Sequence, residues 1–386
     1  MSNAQIEIQA IAALVAIACA VPGVFLVLRK MALISDAISH SILPGIVIGF
    51  FITQDLSSPL NIFLAAVSGI ITVILVEYIQ KTGLVKEDTA IGLVFPALFS
   101  IGVILIARNA NDVHLDVDAV LLGEIAFAPF DRWNWKGTDL GPKAIWIIGT
   151  ITFVTVSLVI LFFKELKAST FDPGLAASLG FAPAILHYGL MSVSSITIVG
   201  AFDAVGAVLV VAFIIAPAAT AYLLTTNLIR MLILSCGIGV LAAISGYWIA
   251  HGLDASIAGS IATVLGLFFF LAFMLAPERG VLAALYRTRQ QKMEVALLTF
   301  LLHLNNHTEV REREVRHLSE HINWKPTVAK RVLILAQKNN MVTITNGVAS
   351  LTKKGKTFSE AAVDYITLNK NTEIESIKEE FFLFRG

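Results

Sequence analysis

Long apolar stretches separated by short polar connections dominate the first three quarters of the chain. An α-helix needs about 20 apolar residues to cross a hydrocarbon core of about 30 Å. Runs of that kind occur at roughly 9–28, 59–79, 89–107, 144–163, 203–225, 231–250 and 255–275. Two further stretches are less regular. Residues 36–53 contain Asp36, His40 and a Pro44-Gly45 break, and 186–199 is short and rich in serine. The pattern predicts about nine crossings, with eight or ten as the neighbouring counts.

From about residue 288 the pattern changes. MEVALLTFLLHL has helical periodicity, Glu312–His321 reads as a short polar helix, and KPTVAKRVLILAQK (325–338) as a third, with Pro326 suited to its first turn. MVTITNGVASLT then alternates apolar and polar residues around Asn346-Gly347, a strong hairpin signal. Three helices and a hairpin within about 70 residues look like a winged helix-turn-helix, and 357–386 reads as one more helix and a charged end. The predicted fold class is therefore an all-α polytopic membrane protein followed by a small cytoplasmic winged-helix (α+β) domain. Its parts are a transmembrane domain over 1–280, a winged-helix-like domain over 288–360, and a C-terminal helix and tail over 361–386.

Composition sharpens this division. The 386 residues are 56% hydrophobic and 15% charged, with a mean hydropathy of +0.79. Soluble domains are about 45–50% apolar and about 25% charged, so a water-soluble enzyme is excluded for the body of the chain. Residues 1–278 carry 11 Lys/Arg against 17 Asp/Glu, and residues 279–386 carry 17 against 11. An acidic membrane body thus precedes a basic soluble domain. Cys19 and Cys236 both lie in apolar runs and form no disulfide framework. MSNAQIEIQ has no basic stretch before the first apolar run, which reads as a retained span and not a signal peptide.

Orientation follows from the basic residues. One set of connections holds Arg29, Lys30, Lys81, Lys86, Lys164, Lys167 and Arg230. The other holds Arg108, Arg132, Lys136 and Lys143, diluted by Asp112, Asp116, Asp118, Glu124, Asp131 and Asp139. The first set is predicted cytoplasmic, which puts the long 108–143 loop and the N-terminus outside and everything after Pro277 inside. Trp133, Trp135 and Trp146 suit an outer interfacial belt.

The most informative chemistry is an ionisable pair within an apolar stretch. In SDAISHSILPG, Asp36 and His40 are four apart and share a helix face, with Ser35 and Ser39 beside them. A carboxylate in a bilayer costs about 2.5–3.5 kcal/mol on insertion scales and is seldom idle. Carboxylate and imidazole together suit Mn²⁺, Zn²⁺ or Fe²⁺. The competing reading pairs Asp36 with Arg29, or makes it a cap of the broken helix, and leaves His40 a satisfied core histidine. Asp203, in GAFDAVG, reads as a helix-start acid and a weaker pathway candidate. His187, His251 and Asp254 read as structural or interfacial, and His114, Asp116 and Asp118 as a solvated acidic rim.

FDPGLAASLGFAP (171–183) begins with a good cap and first-turn pair, Asp172 and Pro173, so a short amphipathic helix is predicted between two spans. No GxxxxGK[ST] sequence occurs, so energy from ATP must come through a partner. In the tail, Lys325, Lys330 and Arg331 fall on or beside the third helix, with Lys353, Lys354 and Lys356 just after the hairpin. These suit phosphate contacts to DNA, anionic lipid or a partner protein. The pairs His303/His307 and His317/His321, with Glu309, Glu312, Glu314 and Glu320 nearby, read mainly as surface histidines.

Taken together, MALISDAISHSILPG, KEDTAIGLVFPALFSIG, LLGEIAFAP, FDPGLAASLGF, LHYGLMSVSS and VGAVLVVAFIIAPAATA resemble the ABC-3 permeases of bacterial manganese, zinc and iron importers over about residues 10–280. The resemblance implies an inner-membrane channel formed as a homodimer or as a heterodimer with a related permease. It also implies cytoplasmic ABC ATPase subunits and an extracytoplasmic metal-binding protein. The transported ion is cargo, and no permanently bound cofactor is expected. By the same likeness Asp36 and His40 line the translocation path. Asp172, Pro173, Gly174, Leu175, Ala176, Ala177, Ser178, Leu179, Gly180 and Phe181 form the segment that sits in a groove of the ATPase, and Lys86–Asp88 falls in the family's other cytoplasmic block. At 203 many relatives carry a different polar residue. Most such permeases end near position 280, whereas this tail looks like the DNA-binding end of metal-dependent repressors without their full sensing domain. The alternative function is accordingly a membrane-tethered, metal-responsive DNA-binding regulator.

Overall fold

The computed structural model describes residues 3–54, 58–109, 125–135, 138–307, 309–315 and 324–368. The chain divides into two compact units, Met1–Gly280 and Val281–Gly386.

The first unit is helical. It contains α1 (Asn3–Leu28), α2 (Ala32–Ser41), α3 (Leu43–Thr53), α4 (Pro59–Lys81), α5 (Glu87–Asn109), α6 (Lys143–Leu161), α7 (Phe163–Phe171), α8 (Pro173–Ser178), α9 (Pro183–Val205), α10 (Ala207–Leu224), α11 (Leu228–Leu253) and α12 (Ile257–Leu275). Among the described residues, nine segments are long and apolar enough to cross a membrane, with α2 and α3 together making one of them. The hub is α1, where Ile11, Val15, Cys19, Phe25 and Leu26 are fully buried against α6, α9, α10 and α11. Such closeness between helices in a membrane needs small residues at the crossing. Gly23 supplies one, since a Cβ there would collide with the Ile214 backbone of α10. The outward faces stay apolar, with Phe153, Ile160, Ile233 and Leu275 all exposed, as lipid contact requires.

Between α5 and α6 the described residues form a hairpin where only a loop was expected. β1 (Arg132–Trp135) pairs antiparallel with β2 (Thr138–Pro142). Arg132 Nε donates to Asp139 Oδ2 at 2.6 Å and Nη1 to Glu7 of α1 at 3.1 Å. The amide of Gly141 and the Arg132 guanidinium hold the Asp139 carboxyl below the usual carboxylate range. Trp146 stands exposed at the start of α6 with its indole N–H on the Leu140 carbonyl, 3.0 Å. The acidic stretch with Asp112, His114, Asp116, Asp118 and Glu124 lies outside the described residues.

The second unit comprises α13 (Val281–Asn306), a 3₁₀ turn (Arg311–Arg313), α14 (Pro326–Lys338), β3 (Val342–Thr345), β4 (Val348–Leu351) and α15 (Lys353–Leu368). Leu297, Phe300, Leu301 and Leu304 of α13 meet Val332 and Ala336 of α14, Met341 and Ala349 of the hairpin, and Phe358 of α15. The β3–β4 turn has Asn346 at φ 55° and Gly347 at φ 81°, the two left-handed positions that an Asn-Gly hairpin turn uses. The polar helix expected from Glu312 is corrected in part. After the 3₁₀ turn Glu314 is extended and bridges Val348, and the Val315 amide donates to the Gly347 carbonyl at 3.0 Å. Residues 316–323, with His317, Glu320 and His321, lie outside the described residues.

Candidate functional site

The apolar stretch 36–53 is interrupted where the sequence places Pro44. A proline has no N–H to offer the carbonyl four residues back, and here the helix restarts, with Ile42 joining α2 to α3. Polar groups at membrane depth need partners, and α4 supplies two of them next to this break. Ser68 Oγ donates to the Ser41 carbonyl at 2.7 Å, and the hydroxyls of Thr72 and Ser41 lie 2.6 Å apart. On the facing side Gly45 admits α4, because a Cβ there would collide with the Leu64 carbonyl.

Just before this break, Asp36 and His40 share one face of α2, with Oδ1 and Nε2 3.6 Å apart. Their side chains are 46% and 37% exposed in the single chain, whereas Ser35 and Ser39 beside them are buried and bonded back to helix carbonyls. The His40 ring leans on Phe95 of α5, centroids 5.7 Å apart. Neither alternative for Asp36 is found in this geometry. Arg29 spends its donors on Ser169, Thr170 and His187 and none on Asp36. Neither α2 nor α3 has a side-chain N-cap, so Asp36 caps nothing. A carboxylate and an imidazole are thus presented together, accessible and otherwise unengaged, at a kinked point of a span. Among the described residues no third His, Cys, Asp or Glu completes a metal cluster with them.

Asp203 is placed differently from expectation. Gly206, at φ 80°, ends α9, and the next span begins at Ala207. Asp203 therefore lies in the last turn of α9 and does not open a helix. Hydropathy alone missed this because the residues on both sides of Gly206 are equally apolar. His251 stacks on Tyr247 (6.2 Å, 7°), and Asp254 is the left-handed C-cap of α11, so both are structural.

The segment 172–181 forms the short helix α8. Asp172 Oδ1 accepts from the Leu175 amide at 2.9 Å, Pro173 takes the first turn, and Leu175 and Leu179 project into the open, 53% and 60% exposed. Beside it lies a polar network that composition gave little reason to expect. Arg29 Nη2 donates to Ser169 Oγ at 2.9 Å, Nε to Thr170 Oγ1 at 3.2 Å and Nη1 to His187 Nδ1 at 3.2 Å. An arginine only donates, so His187 accepts at Nδ1 and carries its proton on Nε2, which bonds Glu77 Oε1. Tyr188 Oη donates to Glu77 Oε2 at 2.8 Å, and Lys81 lies 3.6 Å from the same oxygen. Burial lowers the pKa of Arg29, which stays charged nonetheless. Glu77 was overlooked in the sequence, although it is the one carboxylate in an otherwise apolar run with Lys81 at i+4.

In the second unit Lys330 and Arg331 are exposed on α14, opposite buried Ala329, Val332 and Ala336, and Lys325 is exposed at its N-cap. The rings of His303 and His307 lie 4.4 Å apart, and His307 Nδ1 bonds Glu312 Oε2 at 2.8 Å. Among the described residues these do not form a three-ligand metal group.

Residues 3–276 match the model of the ABC 3 transport family. The chain is 47% identical over 362 residues to the zinc transport system membrane protein TroD of Treponema pallidum (strain Nichols), covering 93% of this chain and 98% of the relative. It is 44% identical over 283 residues to the manganese transport system membrane protein MntD of Bacillus subtilis (strain 168), covering 73% and 96%. The first of these likenesses is too long to end with the first unit, so the treponemal relative shares at least part of the second. Among solved structures, PsaBC from Streptococcus pneumoniae in complex with Fab matches with a TM-score of 0.61 at 30% identity, over 72% of this chain and 94% of that one. Both named relatives are transport-system membrane proteins, and the tethered-regulator reading finds no support in them.

Proposed function

Because the chain belongs to the ABC-3 transport family and is the permease subunit of an ABC importer for metal ions, we propose that the ion crosses the membrane past Asp36 and His40. The chain has no catalytic role, and ATP is hydrolysed by a separate ATPase subunit. The observation that carries the site is the half-exposed carboxylate–imidazole pair next to a helix break inside a span.

Two protein ligands are few for a resting metal site, and that suits a path. An ion in transit must be held well enough to enter and loosely enough to leave. Water, or the same pair from a second permease copy, completes its shell. A metal takes the carboxylate ionised and the imidazole neutral, so entry displaces any proton held between them. The donor set fits Mn²⁺, Zn²⁺ and Fe²⁺ alike, and the zinc and manganese systems of the two relatives are in keeping with it.

In this reading the ends of spans that carry Arg29, Lys81 and Lys164 face the cytoplasm, and α8 docks through Leu175 and Leu179 into the ATPase. Two permease copies, alike or related, enclose the path in the bilayer, and an extracytoplasmic binding protein delivers the ion opposite. Asp203, in the last turn of α9, is the weaker candidate for the path. The second unit is a cytoplasmic winged-helix-like module whose exposed basic helix α14 contacts a partner.

The test is cellular metal content after co-expression with the ATPase and binding protein. Asp36→Ala and His40→Ala, at equal membrane abundance, are each expected to abolish accumulation of one metal. Full accumulation in both variants would remove the site.

A further inference from the structure

α2, which carries the metal pair, is held at both ends. At its far end Ser68 and Thr72 of α4 grip Ser41, the residue after His40. At its near end Arg29 lies three residues before the helix, separated from it by Lys30, whose φ of 62° marks a bend that a straight helix would not contain. Both attachments lead to the same place. Arg29 bonds Ser169 and Thr170, in the last turn of α7, immediately before Asp172 and α8. α4 reaches that place through Glu77, which accepts from His187, which accepts from Arg29. Glu77 and Thr72 are five residues apart on one helix, about 7.5 Å of rigid rise.

We propose that the Arg29–His187–Glu77 chain is the positioning device that transmits movement of the α7–α8 segment to Asp36 and His40. The inference rests on the reading of α8 as the ATPase-docking segment. Arg29 is the junction, since it bonds α7 and α9 and itself lies in the lead into α2. Its partners Ser169, Thr170 and His187 are all uncharged acceptors in this arrangement, so the guanidinium is engaged without an ion pair. One turn earlier on the same face of α7, Glu165 keeps a buried carboxylate oxygen without a hydrogen-bond partner among the described residues. A one-turn slide of α7 past Arg29, about 5.4 Å, exchanges the two hydroxyls for that carboxylate. Packed elements shift in such discrete steps. The chain thus has two resting positions, and each sets a different pull on the two ends of α2.

The experiment uses the complete complex, with ATPase and binding protein, reconstituted in liposomes, and reads metal transported per ATP hydrolysed. Arg29→Ala and His187→Gln are expected to lower that ratio at least tenfold while complex assembly and ATP hydrolysis stay within twofold of the original. Arg29→Lys, which keeps a charged donor, should recover part of the ratio, and Glu165→Gln should lower it. A purely structural role would move assembly and hydrolysis together with transport, and that result in both Arg29→Ala and His187→Gln would overturn the proposal. So would an unchanged ratio in both. If the unaltered complex assembles and hydrolyses ATP yet moves no metal, the transport reading fails, and this inference with it. If it transports and only the ratio is insensitive, this inference alone fails.

Discussion

Removing the Ser68 hydroxyl tests whether α4 holds the break in the metal-bearing span. Ser68→Ala deletes a buried hydrogen bond of 2.7 Å to the Ser41 carbonyl and leaves the neighbouring contact between Thr72 and Ser41 in place. Interhelical hydrogen bonds in membranes average about 0.6 kcal/mol, with a maximum of about 1.7. The upper part of that range applies here, because the Ser41 carbonyl belongs to a fully buried residue remote from water. Thr72→Val keeps the shape of the side chain and removes only its hydroxyl. Because both side chains touch Ser41, the double variant should be non-additive by about 0.5 kcal/mol or more. Reversible unfolding in bicelles measures the three free energies. Taken wholly from the metal-ready arrangement, 1.7 kcal/mol weakens metal affinity by at most about 18-fold at 1.36 kcal/mol per tenfold, which a Mn²⁺ or Zn²⁺ titration reads. A Ser68→Ala cost below about 0.3 kcal/mol, additive with Thr72→Val and without effect on affinity, would refute the reasoning.

Gly45→Ala should destabilise the first unit by about 1–3 kcal/mol, the usual cost of overpacking, seen as a lower melting temperature in detergent, because its Cβ meets the Leu64 carbonyl. Leu175→Asp with Leu179→Asp should abolish co-purification of the ATPase while leaving the melting temperature within a few degrees, since both leucines are exposed. Gly347→Val puts a β-branched residue at φ 81° and should cost about 1–3 kcal/mol. Limited proteolysis of the full chain would then cut the second unit faster than the first.

Much of this molecule can be read from its residues. Spans announce themselves because lipid tolerates only apolar faces, and the Asp36–His40 pair stands out because ionisable groups in such a run are costly. The hairpin at Asn346-Gly347 was equally plain, since few other dipeptides take two left-handed positions. What stayed hidden depended on events between helices. The halt at Gly206 leaves no mark in a hydropathy profile, so Asp203 reads as the start of a helix although it lies in the last turn of one. Extended pairing of Glu314 with Val348 is fixed by the hairpin and not by its own polar surroundings. Glu77, Arg29 and His187 are 48 and 110 residues apart along the chain, and each alone reads as an ordinary flanking residue. Only the crossing of α4, α7 and α9 makes them one network.

The central position of α1 bears on how the protein is made. Of the described helices it leaves the ribosome before α10 and α11, which follow roughly 180 to 225 residues later. At about 5–20 residues per second, α1 waits in the bilayer for about 10 to 45 s before these two neighbours exist. Its wait is tolerable because lipid is as good a solvent for Ile11, Val15 and Phe25 as other helices are. The small-residue notch at Gly23 is then filled by the late-arriving backbone of α10 at Ile214, so a contact at the hub of the fold is made only after most of the spans have been synthesised.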